Sequence, residues 1–324
     1  MIKFWMDYPQ IDKELDCVKS SIIESITSNE KLLNTRLENL VKDGGKMLRP
    51  AFVLLASKFG QSEEQQKFYD LAAVIEMLHM ATLIHDDIID DAELRRGKAT
   101  IQSSFGKDYA VYVGDFLLCQ CFIKLSHYSY EADNLKEISK AMSRICLGEI
   151  KQYHLRGEKN VGALDYIKVI AGKTAALFGI SFYVGAREAD CDEKLTKLLG
   201  RIGFYIGMAF QVMDDLLDYS SDTVTLGKDA QSDLLSGYYT LPLIYALKKD
   251  RHGRLGAILA KEDLDQKDID EILTLVNEYG GIEKAKHVAD KYTKKALTNI
   301  DKLPDCESKA IIRDITVKLL KRNY

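Results

Sequence analysis

Apolar residues recur at three- and four-residue intervals along most of this chain, a spacing that predicts helices. The pattern is clear in IDKELDCVKSSIIESI (11–26), DNLKEISKAMSRICLGEI (133–150) and KAIIRDITVKLLKRN (309–323). Wide stretches of strict alternation, which would predict a sheet, are missing from the sequence. Only four prolines occur, which leaves long segments free to be helical.

Two long apolar runs end in aspartates. LAAVIEMLHMATLI (71–84) leads into HDDIIDD (85–91), and GRIGFYIGMAF (200–210) leads into QVMDDLLD (211–218). One such cluster is as consistent with a solvated helix end as with a site, because like charges four residues apart cost a helix only about 0.2–0.5 kcal/mol per pair. The repeated spacing indicates a bound cation. Two such faces that meet would suit Mg²⁺, which takes oxygen ligands and substrate phosphates.

The chain shows no linker, low-complexity tract or shift in composition that would divide it. We therefore expect a single all-α domain over residues 1–324, with ten or more helices and the two aspartate motifs on facing helices. Glycines at 44–45, 60, 227, 237 and 280–281 mark expected helix ends.

Composition narrows the class of protein. The net charge of −4 argues against nucleic acid as the main partner. Six scattered cysteines, with no CxxC pair, predict reduced thiols in a cytoplasmic protein rather than a disulfide framework or a zinc site. The charged N-terminus does not have the apolar core of a signal peptide. No uninterrupted apolar run reaches the roughly 18–20 residues of a membrane span, so none is expected.

Basic residues stand at four marked positions, where they could bind the phosphates that a magnesium–carboxylate site serves. These are Lys46 and Arg49 in GGKMLRP, Arg95 and Arg96 in RRG, Lys173 in GKTAALF, and Lys228 in LGKD. A basic residue at any one of these positions is more often a surface cation. GKT is not a P-loop, because Ile167 stands where that motif requires glycine. His79 lies nearly two turns before Asp86 and reads either as a core residue or as a residue facing the site.

Together these segments resemble the trans-prenyltransferases, also called polyprenyl diphosphate synthases. The resemblance runs from GGKMLRP through EMLHMATLIHDDIIDDAELRRG, GKTAALF and AFQVMDDLLDYSSD to LGKDAQSDLLSGYYTLPLIYAL, over residues 44 to 247. It implies the isoprenoid synthase fold, an all-α bundle around a deep central cavity. It also implies condensation of isopentenyl diphosphate with an allylic diphosphate, by a homodimer or with a small non-catalytic partner subunit.

The resemblance assigns roles to individual residues. About three Mg²⁺ ions would be held with the substrate diphosphate by Asp86, Asp87, Asp90, Asp214, Asp215 and Asp218. Arg95, Lys173 and Lys228 would stabilise the leaving diphosphate, which is electrostatic catalysis aimed at developing charge. Isopentenyl diphosphate would be held by Lys46, Arg49, His79 and Arg96. Thr174, Phe210 and Gln211 would lie near the allylic cation.

Three positions depart from the family pattern. Met47 stands where the family often has arginine, and Asp229 where it often has proline. Tyr238 replaces a lysine that helps many members bind the allylic diphosphate, and relatives lacking that lysine include catalytic subunits that need a partner. A terpene cyclase is the remote alternative, but DDLLD does not match its mixed second motif. A non-catalytic subunit would be expected to have lost the aspartates.

Product length depends on the residues before Asp86. Short-chain relatives commonly carry aromatic rings four and five positions earlier, where this chain has Thr82 and Ala81. The tail should then pass toward Leu78, Met77 and Val74, since one helical turn of about 5.4 Å is comparable to an isoprene unit. We expect an all-trans hexa- to octaprenyl product. In the alternative, Phe116, Phe122 or Met77 closes the tunnel early and gives a geranylgeranyl or farnesyl product.

Overall fold

The computed structural model describes residues 3–42, 44–128, 132–158, 160–219, 232–261 and 263–320. Over these residues the chain is helical apart from connecting loops and one two-stranded hairpin. The predicted all-α class is confirmed. Lys228, Asp229 and Gly227 lie outside the described residues.

The elements follow one another in a simple order. A 3₁₀ turn, Lys3–Trp5, precedes the first helix. The helices are α1 (Pro9–Ile26), α2 (Lys31–Lys42), α3 (Leu48–Ser57), α4 (Gln65–Ile89), α5 (Ile101–Phe105), α6 (Lys107–Ser126), α7 (Ala132–His154), α8 (Ala163–Ile170), α9 (Ala176–Glu188), α10 (Glu193–Leu217), α11 (Ser232–Leu235), α12 (Leu241–Leu247), α13 (Arg254–Ile258), α14 (Gln266–Glu278), α15 (Gly281–Ile300) and α16 (Glu307–Leu320). A π-helical turn, Ala171–Ala175, joins α8 to α9.

The hairpin was not predicted from the sequence. Strand β1 (Leu94–Arg95) pairs antiparallel with β2 (Lys98–Ala99). The two residues between them, Arg96 and Gly97, have φ angles of 53° and 74°. Positive φ at both central residues is the geometry of the two-residue turns that match the twist of paired strands. The RRG segment therefore reverses the chain sharply just after the first aspartate motif.

The contacts divide the chain into two compact units. The first comprises residues 1–138, 180–200 and 304–312, and the second comprises residues 139–179, 201–303 and 313–324. The first aspartate motif lies in the first unit and the second motif in the second unit. Both the single domain over residues 1–324 and the shared metal cluster stay predictions.

In the first unit, α4 packs against α1, α3 and α6. Small residues allow close approach: a Cβ on Gly185 of α9 would lie 2.2 Å from the carbonyl oxygen of Val53 in α3. The rings of Phe52 and Phe182 stack there with centroids 4.6 Å apart. In the second unit, α12, α13 and α14 share an apolar core that contains Leu243, Leu255 and Ile272.

Within the residues that the structure describes, two helical stretches, Lys107–Ser126 and Ala163–Glu188, are long and apolar enough to cross a membrane. Both contain charged residues, so neither is an uninterrupted apolar run. In the second stretch 72% of the apolar window is buried, as expected for a helix of a protein core. Length and composition alone do not separate such a helix from a membrane span.

Candidate active site

The first aspartate motif lies at the C-terminal end of α4. Helix α4 ends at Ile89, Asp90 caps it, and Asp91 follows with a φ of 51°. The three predicted ligands differ in exposure: Asp87 is buried, Asp86 is half-buried and Asp90 is exposed. The motif thus has an inner carboxylate and outer ones.

Asp87 is held by the hairpin. Both Nε and Nη2 of Arg95 lie 2.7 Å from Oδ1 of Asp87. Burial raises the pKa of Asp87, while the Arg95 charge lowers it and the charges of Asp86 and Asp90 raise it further. The predicted ligand Asp87 and the predicted diphosphate cation Arg95 therefore lie in direct contact.

A cavity of about 710 Å³ opens beside this pair, within the first unit. Its lining mixes apolar groups with both signs of charge. The charged and polar side chains that line it are Arg36, Asn39, Lys42, Glu76, His79, Asp87, Arg95, Arg96, Lys98, Thr100 and Ser104. Cationic side chains outnumber carboxylates there, which suits an anionic ligand.

Three of the four residues predicted to hold isopentenyl diphosphate belong to this region. His79 and Arg96 line the cavity, and the charge of Arg49 acts on both His79 and Arg96. Lys46 is half-buried, with Nζ 5.2 Å from the ring centroid of Phe4. Met47, which stands in place of a family arginine, is itself part of the cavity wall.

The loop before α3 lies close to Arg96. A Cβ on Gly45 would lie 2.7 Å from Nη2 of Arg96, so only glycine leaves room for this guanidinium in its observed place. Met47 takes a left-handed φ of 49° directly before α3 begins. Gly45 of GGKMLRP therefore allows a close approach to the hairpin arginine.

Burial and neighbouring charges shift the pKa values of His79 and Arg49. Burial, with the charges of Arg49, Arg96 and Arg95, holds the pKa of His79 well below its usual 6.5. Burial, opposed by Glu76, lowers the pKa of Arg49 to about 10. His79 is therefore neutral near pH 7, and Arg49 stays charged.

The sequence reading missed Glu76. Burial raises the pKa of Glu76, while Arg49 and Arg96 lower it. Glu76 lies one turn before His79 on α4 and lines the same cavity. The available signal was a single acidic residue three positions before His79, in an otherwise apolar run.

His85, in contrast, belongs to helix packing. A Cβ on Gly114 of α6 would lie 2.2 Å from Nε2 of His85, so the imidazole fills the space that glycine leaves. Nε2 also lies 3.5 Å from Oδ1 of Asp115.

In the second unit, Lys173 and Thr174 lie on the π-helical turn between α8 and α9. Such single π turns frequently mark functional sites. The turn lies against α7, since a Cβ on Gly148 would be 2.8 Å from the backbone nitrogen of Lys173. Nζ of Lys173 donates to Glu149 Oε2 at 2.9 Å and to Gln152 Oε1 at 3.0 Å. Because this stretch is helical, GKT does not follow a strand, in agreement with the rejection of a P-loop.

A chain of hydrogen bonds joins that turn to the second aspartate motif. Thr174 Oγ1 donates to Gln211 Oε1 at 2.7 Å, and Gln211 Nε2 donates to Asp215 Oδ1 at 2.7 Å. The hydroxyl of Tyr166 donates to Asp215 Oδ2 at 2.5 Å. Three predicted site residues are therefore brought together, along with Tyr166, which the sequence reading missed.

The second motif, like the first, has one buried carboxylate between two that are more exposed. Asp215 is buried, Asp214 is exposed and Asp218 is half-buried. Phe210, which was predicted to lie near the cation, packs against Phe178 with ring centroids 5.5 Å apart. Across the residues that the structure describes, no three or more His, Cys, Asp or Glu side chains are grouped so as to hold a metal ion. The ligand set stays a prediction.

The predicted chain-length residues lie on the buried part of α4. Met77, Leu78 and Ala81 are buried, and Thr82 is half-buried with its hydroxyl donating to the His79 carbonyl at 2.8 Å. Phe122 is 58% exposed. Phe116 is half-buried.

Tyr238, which stands in place of a family lysine, lies in the second unit. The guanidinium of Arg156 lies over its ring, 5.5 Å from the centroid. The Arg156 guanidinium therefore lies next to the position at which many family members carry the lysine.

The all-α class, with a first aspartate motif in direct contact with Arg95, agrees with the expected isoprenoid synthase fold. The profile of the polyprenyl synthetase family matches residues 30–276. The chain belongs to the polyprenyl synthetase family.

Curated relatives match over nearly the whole length. Heptaprenyl diphosphate synthase component 2 of Geobacillus stearothermophilus is 34% identical, over 98% of each chain. Octaprenyl diphosphate synthase of Haemophilus influenzae is 32% identical, over 97% of this chain and 95% of the relative.

Solved structures agree on the fold. Geranylgeranyl pyrophosphate synthase of Lactobacillus brevis superposes with a TM-score of 0.93, at 34% identity over 99% of both chains. Heptaprenyl diphosphate synthase of Staphylococcus aureus superposes with a TM-score of 0.90, at 35% identity over 97% of this chain and 99% of that one.

Proposed function

We propose that this chain is a trans-prenyltransferase that condenses isopentenyl diphosphate with an allylic diphosphate. Its product is a medium-to-long all-trans polyprenyl diphosphate, hexa- to octaprenyl. Membership of the polyprenyl synthetase family supports the reaction class. The observation that carries the proposal is the cavity with an excess of cationic side chains directly beside the first aspartate motif.

The aspartates fit magnesium. Carboxylate oxygens are the ligands that Mg²⁺ prefers, and it usually completes its shell with water and substrate phosphates. Asp86, Asp90, Asp214 and Asp218 keep exposed surface, and with Asp87 and Asp215 they would hold about three ions together with the diphosphate. When bound, these ions supply positive charge that stabilises the departing diphosphate.

The chain's own cations act on the same leaving group. As the allylic C–O bond breaks, negative charge grows on the diphosphate, and Arg95, Lys173 and Lys228 stabilise it. The contact with Asp87 orients the Arg95 guanidinium before the reaction starts. Lys173 is likewise held in place by Glu149 and Gln152.

The cavity binds the second substrate. Arg49, Arg96 and Lys46 provide charge for the diphosphate of isopentenyl diphosphate, and neutral His79 provides a hydrogen bond. The double bond of this substrate attacks the allylic cation, a carbon–carbon bond forms, and a proton leaves to the departing diphosphate. Thr174, Phe210 and Gln211 lie near the cation, which the ring face of Phe210 stabilises.

Product length follows from the small residues on α4. Ala81 and Thr82 leave the path along the helix open toward Leu78 and Met77. The names of the heptaprenyl and octaprenyl synthases among the relatives support a product of this length. A geranylgeranyl product is the second candidate, favoured by the superposition on the Lactobacillus brevis enzyme.

A protein partner accompanies the activity. Helix α6 exposes Val111, Tyr112, Phe122 and Ile123, an apolar surface that suits another subunit. We propose a homodimer, with a small non-catalytic subunit as the second candidate because two relatives are named component 2. We also propose a cytoplasmic location. Comparing the activity of the purified chain with and without the small subunit from the same organism separates the two assemblies.

The reaction class is tested by incubating the purified chain with farnesyl diphosphate, isopentenyl diphosphate and Mg²⁺. A longer prenyl diphosphate, together with released diphosphate, is the expected result. Cyclic hydrocarbon from farnesyl diphosphate alone would instead identify a terpene cyclase. Loss of product on chelation and its return with Mg²⁺ would establish the metal requirement.

A further inference from the structure

The carboxylate of Asp215 is surrounded by donors in the second unit. It is 4% exposed, and its two oxygens accept hydrogen bonds from different helices, Oδ2 from Tyr166 of α8 and Oδ1 from Gln211 of α10. Tyr166 is itself buried, at 6%. A buried carboxylate without such donors would strongly destabilise the folded chain. The two bonds, one to each oxygen, also hold the carboxylate of Asp215 in one rotation.

The hydrogen bond to Asp215 orients the side chain of Gln211. Oδ1 of Asp215 accepts from the amide nitrogen of Gln211 at 2.7 Å, so that nitrogen faces Asp215. The carbonyl oxygen of Gln211 then faces Thr174, which lies 2.7 Å away. That carbonyl can only accept, so Thr174 must be the donor.

This order of donors determines what Thr174 presents to the site. Its hydroxyl hydrogen is used in the bond to Gln211, so Oγ1 can act toward any other group only as an acceptor. An oxygen oriented in this way stabilises positive charge without reorganising during the reaction. The π-helical turn, which also carries Lys173, fixes the position of this oxygen.

We propose that Tyr166 is a positioning residue for prenyl transfer: through Asp215 and Gln211 it holds the Thr174 oxygen with its lone pairs toward the allylic cation. This inference rests on the proposed function. It also gives Asp215 a role besides the predicted one of metal ligand, since its inner position ties the second motif to the π-helical turn.

The test is Tyr166→Phe, which removes the hydroxyl and keeps the ring. We expect kcat to fall by roughly 10–10²-fold, as for a small misplacement of a reacting geometry. KM for both diphosphates should stay within about twofold, because Lys173 and Arg95 remain. Tyr128→Phe is the matched control, because the Tyr128 hydroxyl donates to the buried Asp70 at 2.6 Å, away from the site. It should cost similar stability and leave kcat unchanged.

A double-mutant cycle shows whether Tyr166 acts through Thr174. Thr174→Val removes the hydroxyl and keeps the shape, and Thr174→Ser restores it. In the Thr174→Val background, Tyr166→Phe should cause almost no further loss of kcat. If the losses of kcat from the two substitutions multiply as for independent sites, the inference is wrong, because substitutions at residues of one contact network have non-additive effects.

A second double-mutant cycle measures stability instead of turnover. Tyr166→Phe and Gln211→Met should destabilise the chain non-additively in urea unfolding, since both bonds meet at Asp215. Additive losses would overturn the network itself. If the cycle is non-additive but the parent chain performs no condensation, the proposed function fails while the network stands.

Discussion

Arg95 places two nitrogens, Nε and Nη2, each 2.7 Å from the same oxygen of Asp87. The planar guanidinium is thereby oriented before any substrate arrives. Arg95→Lys keeps the charge and loses this fork. We predict that KM for the allylic diphosphate rises by roughly tenfold, with KM for isopentenyl diphosphate changed much less. Steady-state kinetics with each substrate varied in turn measures both values. Equal KM values in variant and parent would show that orientation of Arg95 is unimportant.

The metal proposal predicts a large loss on removing either outer carboxylate. Asp86→Ala and Asp214→Ala should each lower turnover by roughly 10²–10³, the range for losing a principal electrostatic stabiliser. Asp16→Ala is the control, because Asp16 is an exposed acid on α1 paired with Lys19. Turnover is measured at saturating Mg²⁺. Near-normal turnover in either motif variant would contradict the magnesium account.

His79 should bind its ligand as a neutral imidazole. Burial and three arginines hold its pKa well below 6.5. NMR should therefore show no titration of its ring protons between about pH 6 and 8. A lowered histidine pKa means that the unfolded chain binds more protons below pH 6.5. His79 therefore costs stability as the pH falls below that value, and His79→Gln should weaken this dependence. A midpoint near neutral pH would contradict a neutral His79.

The buried pair of Asp70 and Lys124 should matter for stability. Nζ of Lys124 lies 2.8 Å from Oδ1 of Asp70, and both residues are 6% exposed. Lys124→Met leaves a buried charge without this partner, which typically costs about 3–5 kcal/mol. Lys19→Met, in the surface pair with Asp16, should cost less than about 1 kcal/mol. Urea unfolding measures both, and equal losses would contradict the buried-pair argument.

The same cluster predicts a pH dependence. Burial raises the pKa of Asp70, but hydrogen bonds from Lys124, Ser21 and Tyr128 outweigh it, so the pKa falls below 3.8. A lowered carboxyl pKa contributes stability above the unfolded value, which is lost as the pH drops through the folded value. Asp70→Asn should therefore reduce the loss of stability on acidification below about pH 4. An unchanged acid profile would show that Asp70 is not linked to folding.

Helical periodicity was sufficient to predict the fold class, because apolar spacing in segments such as 11–26 has no other regular interpretation. The hairpin at 94–99 was missed because two strands of two residues leave no periodic signal. The π-helical turn at 171–175 was missed for a related reason. One extra residue in a turn changes hydrogen bonding and leaves the surrounding helical pattern intact.

Motif spacing selected the candidate site residues, but it could not rank them by burial. Asp214 and Asp215 are adjacent in sequence, and about 100° of helix rotation makes one exposed and the other buried. The partners that hold the inner carboxylates, Arg95 and Tyr166, lie on other elements. Only the folded arrangement shows which acids are tied to protein donors.

The central claim concerns the length of the product, and one measurement tests it most directly. The purified chain is incubated with farnesyl diphosphate, isopentenyl diphosphate and Mg²⁺, and the products are measured by mass spectrometry alongside those of Ala81→Phe. Ala81 is 1% exposed on α4, so a ring there has to take space inside the protein, where we propose that the tail runs. We predict hexa- to octaprenyl diphosphate from the parent chain, and from the variant a sharply shorter product that still includes the first addition. A geranylgeranyl product from the parent, or the same product distribution from both chains, would contradict the account.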